Sequence, residues 1–119
     1  MSLPVGRRWN VDHANASLPG LTALIESLRL AVTRAHAREA ADLTIGTDIR
    51  VVLYGVTAML AVDGIVLRDL DRGLIDFPAC ADSGRDYWLC WVVGEPAVEW
   101  WHWPETGFAG RRPITDPPT

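Results

Sequence analysis

The sequence predicts an α+β protein: an antiparallel helical hairpin packed on a four-stranded antiparallel β-meander, followed by an irregular C-terminal tail. Apolar residues recur at intervals of three and four through the first half of the chain, and after Gly64 the period changes to two. The length of 119 residues is typical of a single domain. We expect residues 10–63 to form the hairpin, 64–103 the meander and 104–119 the Pro- and Gly-rich tail.

The first helix is predicted to begin at Val11, with Asn10 as its N-cap and Asp12 in the first turn near the positive end of the helix dipole. Its apolar and small residues form a heptad seam over more than three heptads: Val11, Ala14, Leu18, Leu21, Ile25, Leu28, Val32 and Ala35. The Pro19-Gly20 pair lies inside this seam and predicts a kink or break near Leu18.

The second helix is predicted to start at Thr47 or Asp48, after a short connection at residues 43–47, and to end at Gly64. Gly55 lies in its interior, where glycine costs about 1 kcal/mol relative to alanine. We interpret Gly55 as a position that lets the first helix approach closely.

Four strands are predicted after Gly64, at residues 65–69, 74–77, 85–93 and 97–103, with Pro78 ending the second. A turn around Ser83-Gly84 would place Asp76 opposite Trp91. A two-residue turn at Gly94-Glu95 would place Leu89 opposite Trp100.

In this register both faces of the sheet are apolar, and Trp88, Trp101 and Trp103 share one of them. A single hairpin can cover only one face, so the tail or a second subunit has to cover the other. This predicts a homo-oligomer, most simply a two-fold dimer. The heptad seam predicts the same association, although packing within the hairpin or on the sheet explains it equally well.

Composition and net charge indicate which classes of partner and which cellular compartment to expect. The net charge is −4 and all eleven cations are scattered arginines, which disfavours nucleic acid and anionic membranes as partners. No signal peptide or membrane-spanning run is present in the sequence, so we expect a cytoplasmic protein with Cys80 and Cys90 as reduced thiols.

Two blocks are distinctive: Gly-Leu-Ile-Asp-Phe-Pro-Ala at 73–79 and Gly-Phe-Ala-Gly-Arg at 107–111. With the opening Asn-Val-Asp-His-Ala-Asn-Ala at 10–16, they make the chain resemble a family of small prokaryotic proteins classed as a domain of unknown function. The resemblance implies a fold and a set of recurring residues, and no activity. The recurring positions are Asp76, His102, Glu105, Gly107, Phe108, Gly110 and Arg111. Relatives commonly have an acidic residue where this sequence has Trp103.

Asp76, His102, Glu105 and Arg111 form the candidate polar cluster. If a metal binds, His102, Asp76 and Glu105 are its candidate ligands, but their spacing matches no standard motif. The predicted register separates Asp76 and His102 by about four positions and two strands, which favours a structural role for both. In that role His102 stacks on aromatic rings, and Asp76 accepts hydrogen bonds from backbone amides or from Arg111. No cofactor is predicted, and a divalent metal is the alternative.

The aromatic residues Trp100, Trp101, Trp103 and Phe108 are candidates for the lining of a ligand pocket. The leading interpretation of the sequence is nonetheless a non-enzymatic dimeric accessory or protein-interaction module. The alternatives are a small metal-dependent or acid/base enzyme using the His/Asp/Glu cluster, and a binder of a small aromatic or anionic ligand.

Overall fold

A computed structural model describes residues 8–41 and 48–119. The elements are two helices, α1 (Val11–Ala40) and α2 (Ile49–Val62), and five strands: β1 (Val66–Asp69), β2 (Leu74–Cys80), β3 (Asp86–Val92), β4 (Trp100–His102) and β5 (Arg112–Pro113). All neighbouring strands are antiparallel in the order β1-β2-β3-β4-β5. The α+β class and the helical hairpin are confirmed, and the sheet has five strands where four were predicted.

Both helices begin at side-chain caps. The Asn10 side chain accepts a hydrogen bond from the His13 amide at 2.8 Å, and the Asp48 side chain accepts one from the Arg50 amide at 2.9 Å. The predicted break near Leu18 is wrong, since α1 runs through Pro19 without ending. Leu18 and Leu21 are buried on either side of the proline, and their burial offsets the lost backbone bond. The predicted connection at 43–47 lies outside the described residues.

The α1 seam packs within its own chain. Ala14, Leu18, Leu21, Ile25 and Leu28 all join the hydrophobic core, beside the inner face of the sheet. That face consists of side chains that are at most 1% exposed: Ile75, Phe77, Ala79, Leu89, Trp91 and Trp101. The heptad pattern is therefore explained by packing on the sheet, and it gives no separate indication of a dimer.

The predicted strand registers are each wrong by one residue. Asp76 pairs with Cys90, and Cys90 pairs with Trp100. The β2–β3 loop is a three-residue loop closed by the Ala81 amide on the Arg85 carbonyl at 2.9 Å, with Gly84 at φ 89°. The β3–β4 connection is a seven-residue segment, 93–99, whose Val98 amide donates to Asn15 Oδ1 of α1 at 2.7 Å.

This register puts Trp88 and Trp101 on opposite faces of the sheet. The outer face is not the continuous aromatic surface that the sequence predicts. Polar and apolar side chains are mixed on this face, which consists of Leu74, Asp76, Pro78, Trp88, Cys90, Val92, Trp100 and His102. The prediction of a dimer from two apolar sheet faces therefore loses its basis.

Strand β2 continues through Pro78, where the sequence predicts that it ends. Pairing with β1 stops at Asp76, so the proline lies where one side of β2 has no neighbouring strand. Its carbonyl on that side accepts from the Trp9 amide at 2.7 Å. The missing N–H of proline consequently removes no ladder hydrogen bond.

The tail is more ordered than predicted. One turn of 3-10 helix at Phe108–Gly110 leads into β5, and the Trp101 indole donates to the Asp116 carbonyl at 2.7 Å. Fraying after Ile114 is therefore not observed.

Neither helix within residues 8–41 and 48–119 combines the length and the hydropathy needed to cross a bilayer.

Candidate functional site

A buried polar cluster lies in the middle of the outer sheet face. Asp76, Cys90 and His102 are 2%, 0% and 3% exposed. One potential ligand atom from each, a carboxylate oxygen, Sγ and a ring nitrogen, lies within 4.8 Å of the others. Ionisable groups are seldom buried without a partner, so this cluster is the most unusual chemical feature among the described residues.

Three adjacent strands position the cluster. Asp76 on β2 lies opposite Cys90 on β3, and His102 on β4 is two residues beyond the partner of Cys90. Cys90 is small enough for the flanking Asp76 and His102 side chains to meet over it. The prediction that Asp76 and His102 are too far apart is wrong, because it rests on the incorrect register.

His102 uses both ring nitrogens. Its Nδ1 lies 2.8 Å from the Trp103 carbonyl oxygen and its Nε2 lies 2.9 Å from Asp76 Oδ2. Since a carbonyl oxygen only accepts, Nδ1 carries the proton in that bond. Burial alone would lower the pKa of His102, but the hydrogen bonds to Asp76 and to the Trp103 carbonyl raise it above its ordinary value.

Arg68 approaches the same carboxylate from β1. A β-bulge between Leu67 and Asp69 interrupts the β1–β2 register at this residue, and its Nε donates to Asp76 Oδ2 at 3.0 Å. The guanidinium also stacks 4.9 Å from the Trp88 ring. Arg68 and His102 both contact Oδ2, whereas Asp76 Oδ1 is buried without a hydrogen-bond partner among the described residues.

Arg111 forms an ion pair with Glu95, whereas the sequence predicts a contact with Asp76. Its two terminal nitrogens donate to the two Glu95 carboxylate oxygens at 3.1 and 2.8 Å. The guanidinium lies 4.7 Å from the Trp100 ring and 4.6 Å from the Phe108 ring. This contact attaches the tail to the β3–β4 connection and holds Arg111 beside the Cys90 thiol.

The Cys90 thiol is fully buried, with the Asp76 carboxylate and the Arg111 guanidinium beside it. Burial raises its pKa to about 12, the nearby Asp76 carboxylate adds to this rise, and Arg111 acts in the opposite direction. Cys80 is also a free thiol and is exposed at the end of β2.

Glu105 does not join the cluster. It is exposed and pairs with Arg85, whose guanidinium also lies over the Trp103 ring. The candidate triad of His102, Asp76 and Glu105 is thus not assembled, and Cys90 occupies the third position.

The four aromatic candidates are divided between the two sheet faces. Trp101 is buried in the inner core with Trp103 packed edge-on against it at 4.9 Å, while Trp100 and Phe108 lie on the outer side with Arg111. They do not line one pocket. An open cavity of about 510 Å³ lies elsewhere, between α1 and the 93–97 segment.

The sequence predicts two members of the cluster, Asp76 and His102, but not Cys90, nor the neighbouring Arg68 and Glu95. Cys90 would have followed from the correct register, since it is the residue between the other two. Arg68 depends on a bulge for which the sequence gives no signal.

A family described as an uncharacterized conserved protein, DUF2203, matches residues 7–114. The chain belongs to the DUF2203 family. No curated protein and no solved structure matches it. The matched range includes Asp76, Cys90 and His102 together with Arg68 and Arg111, so this site lies within the part of the chain that matches the DUF2203 family. The DUF2203 description names no activity, and the function has to be argued from the chemistry of the chain.

Proposed function

We propose that this DUF2203 protein is a non-enzymatic, cytoplasmic accessory module that forms a two-fold dimer through the exposed side of α2. The single observation that supports this proposal is the apolar surface of α2, defined by Val51, Tyr54, Gly55, Ala58, Met59 and Val62. Its four large side chains are 66%, 78%, 54% and 76% exposed for Val51, Tyr54, Met59 and Val62.

The α2 apolar surface is unusual in its lack of charge. Arg50 is the only charged residue of the 14 in α2, and it is turned to its own N-cap Asp48 at 2.9 Å. A solvated helix face normally carries several charges. Burial of this surface against an identical surface removes it from water without leaving a charge unpaired.

Gly55 gives a second reason for close contact. It lies in the middle of the α2 apolar surface, and a Cβ built there meets nothing within 4 Å. The prediction that Gly55 lets α1 approach α2 closely is therefore wrong. A glycine in a helix interior costs about 1 kcal/mol, and in the proposed dimer it lets the two α2 backbones approach at the two-fold axis.

Light scattering coupled to size exclusion tests the dimer at micromolar concentration. The expected mass is twice the 13.1 kDa of the chain. Tyr54→Glu should give a monomer, because it places two buried carboxylates across the axis. Leu30→Glu is the matched control, since Leu30 is 50% exposed but lies on α1. A monomeric wild-type protein, or a dimer that Tyr54→Glu leaves intact, would contradict the proposal.

A further inference from the structure

We propose that Asp76, Cys90 and His102 form a binding site for one transition-metal ion of the zinc class. The inference is independent of the dimer. It rests on the convergence of three ligand types, on the orientation of His102 and on the unpartnered Asp76 oxygen.

The three donors match a borderline divalent metal. A thiolate, an imidazole nitrogen and a carboxylate oxygen are all zinc ligands, whereas magnesium and calcium select oxygen alone. The corresponding atoms of Asp76, Cys90 and His102 lie within 4.8 Å of one another. Three protein donors also leave a fourth tetrahedral position for water or an exogenous ligand.

His102 is oriented as a metal ligand would be. Its Nδ1–H donates to the Trp103 carbonyl at 2.8 Å, which directs Nε2 at the other two donors. Histidines that bind metals almost always fix their second nitrogen by a bond of this kind.

Asp76 supplies the second independent observation. Its Oδ1 is buried and has no hydrogen-bond partner in the described part of the chain, although the residue is only 2% exposed. A buried carboxylate oxygen without a donor is costly. A metal ion, or a water bound to it, satisfies this oxygen.

The two arginines are compatible with a cation here. One proton lies between Nε2 of His102 and Oδ2 of Asp76, because Nδ1–H already donates to the Trp103 carbonyl. Metal binding releases this proton and the proton of the Cys90 thiol to solvent. Two protons are exchanged for one divalent ion, so the net charge of the cluster is unchanged. Arg68 has a half-exposed side chain that can swing away from Oδ2, and Arg111 is already neutralised by Glu95.

Cobalt(II) is the probe, because a cysteine ligand gives a sulfur-to-cobalt charge-transfer band and a tetrahedral site gives intense visible bands. The untagged full chain should bind one cobalt ion with both signatures, and zinc should displace it. Cys90→Ser should abolish the charge-transfer band. His102→Gln and Asp76→Asn each remove a ligand and should weaken binding by more than the roughly 10- to 100-fold that is lost with an outer-shell partner. Cys80→Ser and Glu105→Gln are matched controls that should bind as the wild type does.

Circular dichroism checks that each variant is folded. If the cluster variants do not fold, X-ray absorption of the zinc-loaded wild type and of Cys80→Ser decides the question, since one sulfur and one imidazole ligand are expected in both. Absence of a charge-transfer band at saturating cobalt would overturn the proposal. So would a band that persists in Cys90→Ser or disappears in Cys80→Ser.

Discussion

At the scale of single residues, the buried pair of His102 and Asp76 determines how stability depends on pH. The two side chains are 3% and 2% exposed, and His102 Nε2 lies 2.9 Å from Asp76 Oδ2. The hydrogen bond to the carboxylate stabilises the charged imidazole in the folded chain relative to the unfolded chain. Its folded-state pKa is raised above the unfolded value of about 6.5. The stabilisation is complete below the unfolded pKa and is lost as pH rises through the folded pKa.

We therefore expect the free energy of unfolding to fall as pH rises above about 6.5, and to fall less in His102→Gln. The variant should also be less stable at low pH by about 1–3 kcal/mol, because a neutral donor replaces a charged one beside Asp76. Urea unfolding across this pH range measures both effects. His13→Gln, on the exposed surface of α1, is the control. Parallel pH profiles for wild type and His102→Gln would show that the pair does not carry the effect.

The two thiols should differ sharply in reactivity. Cys80 is exposed, whereas Cys90 is fully buried with a pKa of about 12. Because the thiolate is the reactive form, a thiol-disulfide reagent at mildly alkaline pH should modify one thiol in the native protein and two in urea. Native Cys80→Ser should react slowly or not at all. Rapid modification of that variant would mean that Cys90 is accessible.

The sequence indicates which residues are candidates for the site more readily than it indicates which of them are in contact. Asp76 and His102 stand out as the acid and imidazole of the sheet, whereas Glu105 enters the sequence-based cluster as a further acid and as a recurring position of the family that the chain resembles. Placing Cys90 between them requires a register that depends on the length of two loops. A one-residue error there exchanges the two faces of the sheet.

At the scale of elements, loop geometry fixes the alignment of the strands. Gly73 ends the β1–β2 turn at φ 70°, and its carbonyl accepts from the Val93 amide at 2.9 Å. A Cβ at this position would lie 2.6 Å from Val93 Cγ2. Gly84 has a similar positive φ of 89° but no atom within 4 Å of such a Cβ.

This contrast separates backbone strain from a steric clash. Gly84→Ala should cost about 1–2 kcal/mol, the penalty of the left-handed conformation alone. Gly73→Ala should cost about 2–4 kcal/mol, because the methyl group also displaces Val93. Urea unfolding of the two variants gives the comparison. Equal losses would indicate that Val93 moves freely away from the turn.

Local signals predicted the elements better than they predicted their ends. Both helix caps, at Asn10 and Asp48, follow from side chains that reach the first free amides. The passage of β2 through Pro78 does not, because it depends on β1 being too short to pair there. The prolines and glycines of the tail predict irregular chain, yet Pro113 in β5 pairs with Trp100.

At the scale of the whole molecule, the apolar residues are divided between a closed core and an open helix surface. The buried residues of α1 are Ala14, Leu18, Leu21, Ile25, Leu28 and Ala35, whereas Leu60 is the only buried residue of α2. The rest of α2 is half-buried or exposed. The proposed dimer links association to stability, since it would bury the exposed side of α2.

Gly55→Ala should act in opposite directions in the monomer and in the dimer. In a Tyr54→Glu background it should stabilise the monomer by about 1 kcal/mol, because alanine is the better helix former. In the wild-type background it should weaken association, because the methyl group separates the two α2 backbones. Sedimentation velocity and urea unfolding at two protein concentrations distinguish these effects. The same gain in both backgrounds would place Gly55 outside any interface.

The division of the tryptophans between the two sides of the sheet provides intrinsic optical reporters. The indoles of Trp91 and Trp101 are enclosed in the core, and their emission should shift to the red only when the chain unfolds. Trp88 and Trp100 lie under guanidinium groups, in the cross-strand positions opposite His102 and Cys90. A paramagnetic ion near those two residues should quench this second pair first, so that one emission spectrum reports on occupancy and unfolding separately.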